Sequence, residues 1–126
     1  MMKKVLLIED DFIHVVITKK YLELTNRVEE VFVAENGKIA FDLMSEWYEK
    51  DKGFPDLILL DLSMPVWDGW RFLEEISKKA WTKKSSIYIL TSSIRQEDQE
   101  RAAFYNLQEN YLLKPLNLEA VQEIMK

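Results

Sequence analysis

The sequence predicts a doubly wound α/β domain, with a five-stranded parallel sheet covered by helices on both faces. Short apolar runs alternate five times with longer amphipathic stretches, and the first, third and fourth runs are almost unbroken in apolar residues. Strands that alternate with helices are typical of a parallel sheet. Central parallel strands are buried on both faces and are therefore continuously hydrophobic. At 126 residues, the chain has the length of one domain with one core.

Each of the five strand candidates is a short run rich in aliphatic or aromatic residues. The candidates are Lys4 to Ile8, Val28 to Ala34, Asp56 to Leu60, Ser86 to Leu90 and Asn110 to Lys114. The second candidate carries Glu29 and Glu30, which are unsuited to a strand buried on both faces. We therefore expect it at an edge of the sheet.

The stretches between the strands carry apolar residues at helical spacing, which predicts helices that cover the sheet. The stripes are Ile13, Val16, Ile17, Tyr21 and Leu24 in the first helix, Ile39, Leu43 and Trp47 in the second, and Trp70, Leu73, Ile76 and Ala80 in the third. The fourth helix, around Arg95 to Asn106, has only Ala102, Ala103 and Phe104 as apolar anchors. Asn36 or Gly37 is expected to begin the second helix and Asn117 the last one.

Composition excludes several classes of function. With 17 basic and 22 acidic residues the net charge is -5, and no Lys/Arg cluster forms a stripe, which disfavours nucleic-acid binding. The chain has no Cys, so disulfides and thiolate metal sites are impossible and a reducing cytoplasm is the expected location. The apolar run after the N-terminal lysines is too short for a signal peptide or a membrane span.

Polar residues that could bind a ligand or take part in a reaction follow the apolar strands. Glu9 and Asp10 follow the first strand, Asp61 the third and Thr91 the fourth, and Lys114 ends the fifth. All strands of a parallel sheet point the same way, so these residues should gather at the carboxyl edge, where open α/β sheets bind ligands. The sequence thus predicts one site assembled from four segments.

Charge at this site requires compensation. Carboxylates about 5 Å apart repel by about 3 kcal/mol per pair at an effective dielectric near 20. Lys114 offers one positive charge, and a divalent cation would supply the rest. Ligands that are all oxygen favour Mg²⁺, or Mn²⁺, over zinc. Such a cation is the usual companion of phosphoryl transfer.

The motif "DLSMPVWDG" and six further residues resemble the receiver domain of two-component response regulators, of the stand-alone chemotaxis-regulator type. The matching residues are Asp61, Met64, Pro65, Asp68 and Gly69 in the motif, and Glu9, Asp10, Thr91, Tyr111, Lys114 and Pro115 elsewhere. The resemblance covers essentially the whole chain. It implies a flavodoxin-like fold with strand order 2-1-3-4-5, a single receiver domain over residues 1–126 and no output domain.

The resemblance also implies a role for each matching residue. Asp61 would be the phosphoacceptor, taking a phosphoryl group from a phosphohistidine of a histidine kinase or histidine phosphotransfer protein. Mg²⁺ would be bound by Asp10, Asp61 and the backbone carbonyl of Ser63, with Glu9 acting directly or through water. Lys114 would pair with a phosphate oxygen. The activity expected is Mg²⁺-dependent self-phosphorylation and slow self-dephosphorylation, without enzyme activity on other substrates.

The implied switch links the site to a surface. The Thr91 hydroxyl would move to the phosphoryl group and Tyr111 would turn inward, with the peptide between Lys114 and Pro115 in cis. The face formed by the fourth helix, fifth strand and fifth helix would bind a downstream protein, with no role for nucleic acid or a membrane.

Some positions depart from the family pattern. Glu9 replaces the frequent first Asp, and the usual Gly-Ala pair before the fifth strand is missing from "YNLQENY". Asn106 is expected to take the left-handed turn that glycine normally supplies. Asp11 is predicted to begin the first helix by facing its positive end.

Other classes fit less well. A haloacid-dehalogenase-type phosphatase needs a second Asp where this chain has Ser63. A dinucleotide binder needs a Gly-rich loop where this chain is acidic. A histidine phosphotransfer protein would be a helical bundle. The remaining alternative is an adaptor with a receiver fold that binds proteins without being phosphorylated.

Overall fold

The computed structural model describes residues 2–126, in which strands and helices alternate. The strands are β1 (Lys3–Ile8), β2 (Val28–Ala34), β3 (Leu57–Leu60), β4 (Ser86–Thr91) and β5 (Tyr111–Leu113). The helices are α1 (Phe12–Leu24), α2 (Gly37–Glu49), α3 (Gly69–Ser77), α4 (Gln96–Phe104) and α5 (Leu118–Ile124). A 3₁₀ turn, Gln108–Asn110, precedes β5.

The five strands form one parallel sheet in the order β2-β1-β3-β4-β5, which confirms the predicted fold class. The acidic β2 lies at an edge, as expected. The register pairs Ile8 with Leu60, Leu60 with Ile89 and Thr91 with Leu113. The strands therefore end close to one line, and the residues that follow them reach the same edge of the sheet.

The core is divided by the sheet into two layers. Successive residues of β1 and β3 point to opposite faces, so Leu6 and Ile58 join one hydrophobic cluster while Leu7 and Leu59 join the other. The first cluster includes Phe72 of α3, whose side chain is fully buried. All four residues of β3 are buried, as the unbroken apolar run predicted.

The predicted buried stripe of α1 is wrong for four of its five residues, whereas Tyr21 is partly buried and packs against the second hydrophobic cluster. Ile13 is 67 % exposed and Val16 49 %, and Ile17 and Leu24 are exposed as well. The helix buries Thr18 and Leu22 instead. Apolar side chains occur on nearly every side of the first two turns, so their spacing could not identify the side that meets the sheet.

In other helices the structure differs from the predictions in smaller ways. In α2 the buried residues are Gly37, Ala40 and Met44, while Ile39 is exposed. In α4, Ala102 is buried as predicted, but Ala103 and Phe104 face solvent. Ala80 lies beyond the end of α3 and is exposed.

The local signals for helix ends are confirmed. Side-chain oxygens of Asp11, Asn36, Asp68 and Asn117 accept hydrogen bonds from backbone N–H groups in the first turns of α1, α2, α3 and α5. Asn106, just after α4, has a φ of 60°, so it does take the left-handed conformation predicted for it.

Candidate functional site

Three carboxylates meet at the carboxyl edge of the sheet. Glu9 follows β1 and is buried, Asp10 is exposed, and Asp61 follows β3 and is buried. One carboxylate oxygen of each lies within 4.8 Å of the others. The backbone fixes this arrangement, because the Asp61 N–H donates to the carbonyl of Ile8 at 3.0 Å and continues the ladder past the strand ends. The prediction that these acids come together is confirmed.

Lys114, directly after β5, reaches into the same cluster. Its Nζ lies 2.6 Å from Oε1 of Glu9 and 3.6 Å from Oδ1 of Asp61, and its side chain is only 12 % exposed. Its backbone N–H donates to the carbonyl of Thr91 at 2.9 Å, which anchors it to β4. The peptide between Lys114 and Pro115 is cis, as the family resemblance implied. Lys114 therefore contacts two of the three carboxylates, Glu9 and Asp61.

Burial and neighbouring charge act against ionisation of Asp61. Burial raises the pKa of the Asp61 carboxyl to about 7, the Glu9 carboxylate adds to the increase, and Lys114 opposes it. A positive charge added beside these acids would lower the pKa again. The site in this form is short of positive charge.

The donor set fits a hard divalent cation. The three acids offer oxygen atoms only, and the exposed Asp10 leaves one side of the cluster open to solvent. Mg²⁺ and Mn²⁺ favour carboxylate and water oxygens and keep several water ligands. Ser63 lies beside the cluster, where its N–H is 3.5 Å from Oδ1 of Asp61. The role of its carbonyl as a ligand stays a prediction.

The D-G pair of the motif shapes the loop that follows Asp61. A Cβ on Gly69 would lie 2.6 Å from the Asp61 carbonyl oxygen and 2.9 Å from Cα of Leu62, so only glycine fits. Asp68 begins α3 by accepting a hydrogen bond from the Arg71 N–H at 2.8 Å. These two residues hold the start of α3 tightly against the backbone of the predicted phosphoacceptor.

Thr91 and Tyr111 meet through the loop after β4. Thr91 is buried, and its Oγ1 accepts a hydrogen bond from the N–H of Ser93 at 3.1 Å. The Tyr111 hydroxyl donates to the carbonyl of Ser93 at 3.0 Å, and its ring packs against the first hydrophobic cluster. Burial raises the pKa of the Tyr111 hydroxyl. Tyr111 is thus turned inward in this structure.

Asp98 and Trp70 form a contact beside this loop that sequence reasoning missed. The buried carboxylate of Asp98 accepts hydrogen bonds from Trp70 Nε1 at 3.1 Å and from Ser93 Oγ at 2.5 Å. The polar face of α4 had given no reason to expect a buried acid, because Asp98 looks like one more charged residue in a first helical turn. Only the position of α3 relative to α4 distinguishes it.

Comparison with known proteins identifies the family. Residues 5–126 match the sequence profile of the response regulator receiver domain. The chain belongs to the receiver domain family. Receiver domains are signalling modules of two-component systems that bind a divalent metal and act with histidine kinases or phosphotransfer proteins.

Three relatives illustrate the similarity. The probable methanogenesis regulatory protein FilR2 of Methanothrix harundinacea is 29% identical, over 97% of this chain and 78% of its own length. The response regulator Rcp1 of Synechocystis is 31% identical, over 93% of this chain and 80% of its own. A two-component response regulator from Cytophaga hutchinsonii has a crystal structure that superposes with a TM-score of 0.84 at 29% identity, covering 96% of this chain and 92% of that one.

One of these relatives bears directly on the acidic cluster. A crystal structure of the Mn²⁺-bound form of Rcp1 matches with a TM-score of 0.79 at 27% identity, over 98% of this chain and 88% of that one. The metal is a property of Rcp1. Mn²⁺ is one of the metals that an all-oxygen donor set, such as the one found here, favours. Within residues 2–126, no helix has the length and apolar character required to cross a bilayer.

Proposed function

We propose that this receiver domain is a phosphoacceptor of a two-component phosphorelay. Asp61 takes a phosphoryl group from a phosphohistidine of a histidine kinase or histidine phosphotransfer protein. The observation that carries the proposal is the cluster of Glu9, Asp10 and Asp61 with Lys114 at one sheet edge. Few structural roles require three acids and a nearly buried lysine to converge from three strands.

The chemistry assigned to Asp61 is a displacement at phosphorus. A carboxylate oxygen forms a bond to phosphorus while the bond from phosphorus to the donor imidazole nitrogen breaks, and the electron pair leaves with that nitrogen. The product is an acyl phosphate. Mg²⁺ would be held by Asp10, Asp61 and the backbone carbonyl of Ser63, with Glu9 acting directly or through water. Bound there, the cation supplies positive charge to the transferring group.

Lys114 and Thr91 complete the proposed site. Lys114 Nζ, 3.6 Å from Oδ1 of Asp61, is close enough to pair with an oxygen of a phosphoryl group on that residue. The buried Thr91 hydroxyl lies in the next strand along and would donate to another oxygen. Its movement would change the position of the Ser93 loop and of Tyr111, which shifts the population between two packings.

The output surface is proposed to be the face of α4, β5 and α5. Phe104 of α4 is 82 % exposed, and Leu113 of β5 is exposed as well. Exposed apolar side chains on this face are suited to binding a downstream protein. A cytoplasmic location stays a prediction that rests on the absence of cysteine.

Mass spectrometry after incubation with acetyl phosphate and Mg²⁺ tests the proposal. We expect a mass gain of one phosphoryl group that is lost in Asp61→Asn. Asp10→Ala and Asp11→Ala form a matched pair of adjacent acids, of which only Asp11 accepts from the first turn of α1. Asp10→Ala should abolish the Mg²⁺-dependent gain, and Asp11→Ala should preserve it.

Two outcomes would contradict the proposal. Equal losses of phosphorylation in the Asp10 and Asp11 variants would refute the assignment of Asp10 as the ligand. No mass gain with any donor, including a phosphorylated histidine phosphotransfer protein, would leave the adaptor as the function.

A further inference from the structure

A buried acid outside the receiver motifs connects three parts of the structure. Asp98 lies in the first turn of α4 and is only 9 % exposed. Its Oδ2 accepts from Ser93 Oγ at 2.5 Å and its Oδ1 accepts from Trp70 Nε1 at 3.1 Å. One carboxylate therefore ties α3 and the loop after β4 to α4.

The bonds to Asp98 are of the strong, charge-assisted kind. The hydrogen bond from Ser93 is the main reason that the pKa of Asp98 is lowered, and the indole N–H of Trp70 contributes to the same effect. Arg95 approaches Oδ2 at 3.8 Å from the exposed side. Each carboxylate oxygen thus has a neutral donor on its protein side, so the carboxylate stays ionised in a nearly buried position.

Trp70 is a rigid partner for this carboxylate. Its indole is buried, stacks against Tyr105 with ring centroids 6.2 Å apart and lies under the guanidinium of Arg101 at 4.7 Å. Its backbone directly follows Gly69, which is packed on the Asp61 backbone. Asp98 therefore fixes the position of the loop after β4 relative to the start of α3. That helix start packs on the backbone of the predicted phosphoacceptor.

Ser93 transmits this position to both switch residues. Its N–H donates to Thr91 Oγ1 at 3.1 Å, and its carbonyl accepts from the Tyr111 hydroxyl at 3.0 Å. The side chain that Asp98 binds thus belongs to a residue that contacts both Thr91 and Tyr111 through its backbone. None of these contacts requires a phosphoryl group.

We propose that Asp98 is a positioning residue for the Tyr111 switch: it holds Ser93 where the Ser93 carbonyl accepts the Tyr111 hydroxyl in the unphosphorylated protein. Asp98 acts through Ser93 and has no contact with Asp61 or its cluster. The consequence is a receiver whose inward Tyr111 packing is already favoured before phosphorylation. The inference rests on the proposed function only in calling Tyr111 a switch; the positioning itself is a property of the unmodified chain.

A purely structural role predicts a different behaviour. A carboxylate in the first turn of a helix stabilises that helix through its dipole and through caps. Its loss would then lower the free energy of unfolding while Tyr111 stays inward in the folded molecules. Positioning predicts that the Tyr111 ring itself changes environment in molecules that remain folded.

NMR of the full chain with ¹³C-labelled tyrosine rings measures this directly. The chain has five tyrosines, and the Tyr111 resonances are assigned by their loss in Tyr111→Phe. In Asp98→Ala and in Ser93→Ala we expect the Tyr111 signals to move toward solvent-exposed values. The ratio of inward to outward ring should fall roughly 2- to 10-fold, as expected for loss of one supporting hydrogen bond.

Two further variants separate positioning from a general loosening of the loop. Gln99→Ala is the matched control, because Gln99 also lies in α4 and donates to the same loop at the Ile94 carbonyl, 3.2 Å away, without touching Ser93. It should leave the Tyr111 signals in place. Asp98→Asn keeps an oxygen for Trp70 and places an amide that can donate to Ser93 Oγ, so its Tyr111 signals should lie closer to those of the wild type than in Asp98→Ala.

Each outcome decides the proposal. Unchanged Tyr111 signals in both alanine variants would refute it, and so would equal changes in Gln99→Ala. If Asp98→Ala fails to fold, Ser93→Ala breaks the same bond from the other partner and gives the decision. Because the measurement uses unphosphorylated protein, failure of phosphorylation leaves its result intact. A chain that is phosphorylated normally while both alanine variants keep the wild-type Tyr111 signals would refute the positioning role alone.

Discussion

Replacement of Asp61 by Asn should stabilise the metal-free protein at neutral and alkaline pH. The pKa of Asp61 is about 7, against an ordinary value of 3.8, and one pH unit of difference corresponds to about 1.4 kcal/mol. The native state binds the proton more tightly than the unfolded chain, so its stability falls as the pH rises between these two values. Above pH 7 the ionised carboxyl destabilises the fold by up to about 4 kcal/mol. Asn removes this destabilisation and retains the shape of the Asp61 side chain.

Urea unfolding in the presence of EDTA, followed by tryptophan fluorescence from pH 4 to pH 8.5, measures the effect. The wild type should lose stability across this range, whereas Asp61→Asn should lose much less, so that the two curves meet near pH 4. Asp10→Asn is the control, because Asp10 is exposed at the same site. A wild-type stability independent of pH, or an Asn variant that is less stable at pH 8, would refute the role of burial and of Glu9 in raising this pKa.

Three further substitutions test individual contacts by urea unfolding. Lys114→Met should lower the free energy of unfolding by about 3 kcal/mol, because it leaves the buried Glu9 carboxylate without its cation; a neutral result would show that the pair contributes nothing. Gly69→Ala should cost about 2 kcal/mol, since its Cβ would meet the Asp61 carbonyl, and wild-type stability would contradict that clash. Val66→Asn should add about 1 kcal/mol, because a β-branched residue there has a φ of 68° and an exposed side chain; a loss would mean that the valine makes a stabilising contact.

The sheet and the acidic cluster could be predicted because both depend on local patterns. Residues such as Leu59 in an unbroken apolar run identify a buried parallel strand without knowledge of its neighbours. Parallel strands then require that Glu9 and Asp61 meet at one edge. Helix ends were equally local, because Asp11 and Asn117 bind N–H groups within three residues of themselves.

The packing of the helices could not be predicted in the same way. Which side of α1 meets the sheet depends on where α5 packs beside it, and the position of α5 relative to α1 is set by the whole fold. Thr18 is buried while Ile13 is exposed, the reverse of their hydrophobicity. The same limit applies to Asp98, whose partner Trp70 lies 28 residues away in sequence. No spacing rule links two residues on different helices.

The unequal contacts of Lys114 explain why this cluster calls for an added cation. Nζ is 2.6 Å from Glu9 and 3.6 Å from Asp61, so the lysine is committed mainly to the acid next to the predicted nucleophile. Burial and the neighbouring Glu9 raise the pKa of Asp61 to about 7, and Lys114 opposes the increase only in part, although attack on phosphorus requires the ionised form of Asp61. Moving Lys114 toward Asp61 would only leave the buried Glu9 without compensation. Positive charge that enters on the open side, beside the exposed Asp10, would favour the ionised form of Asp61 while Lys114 stays with Glu9.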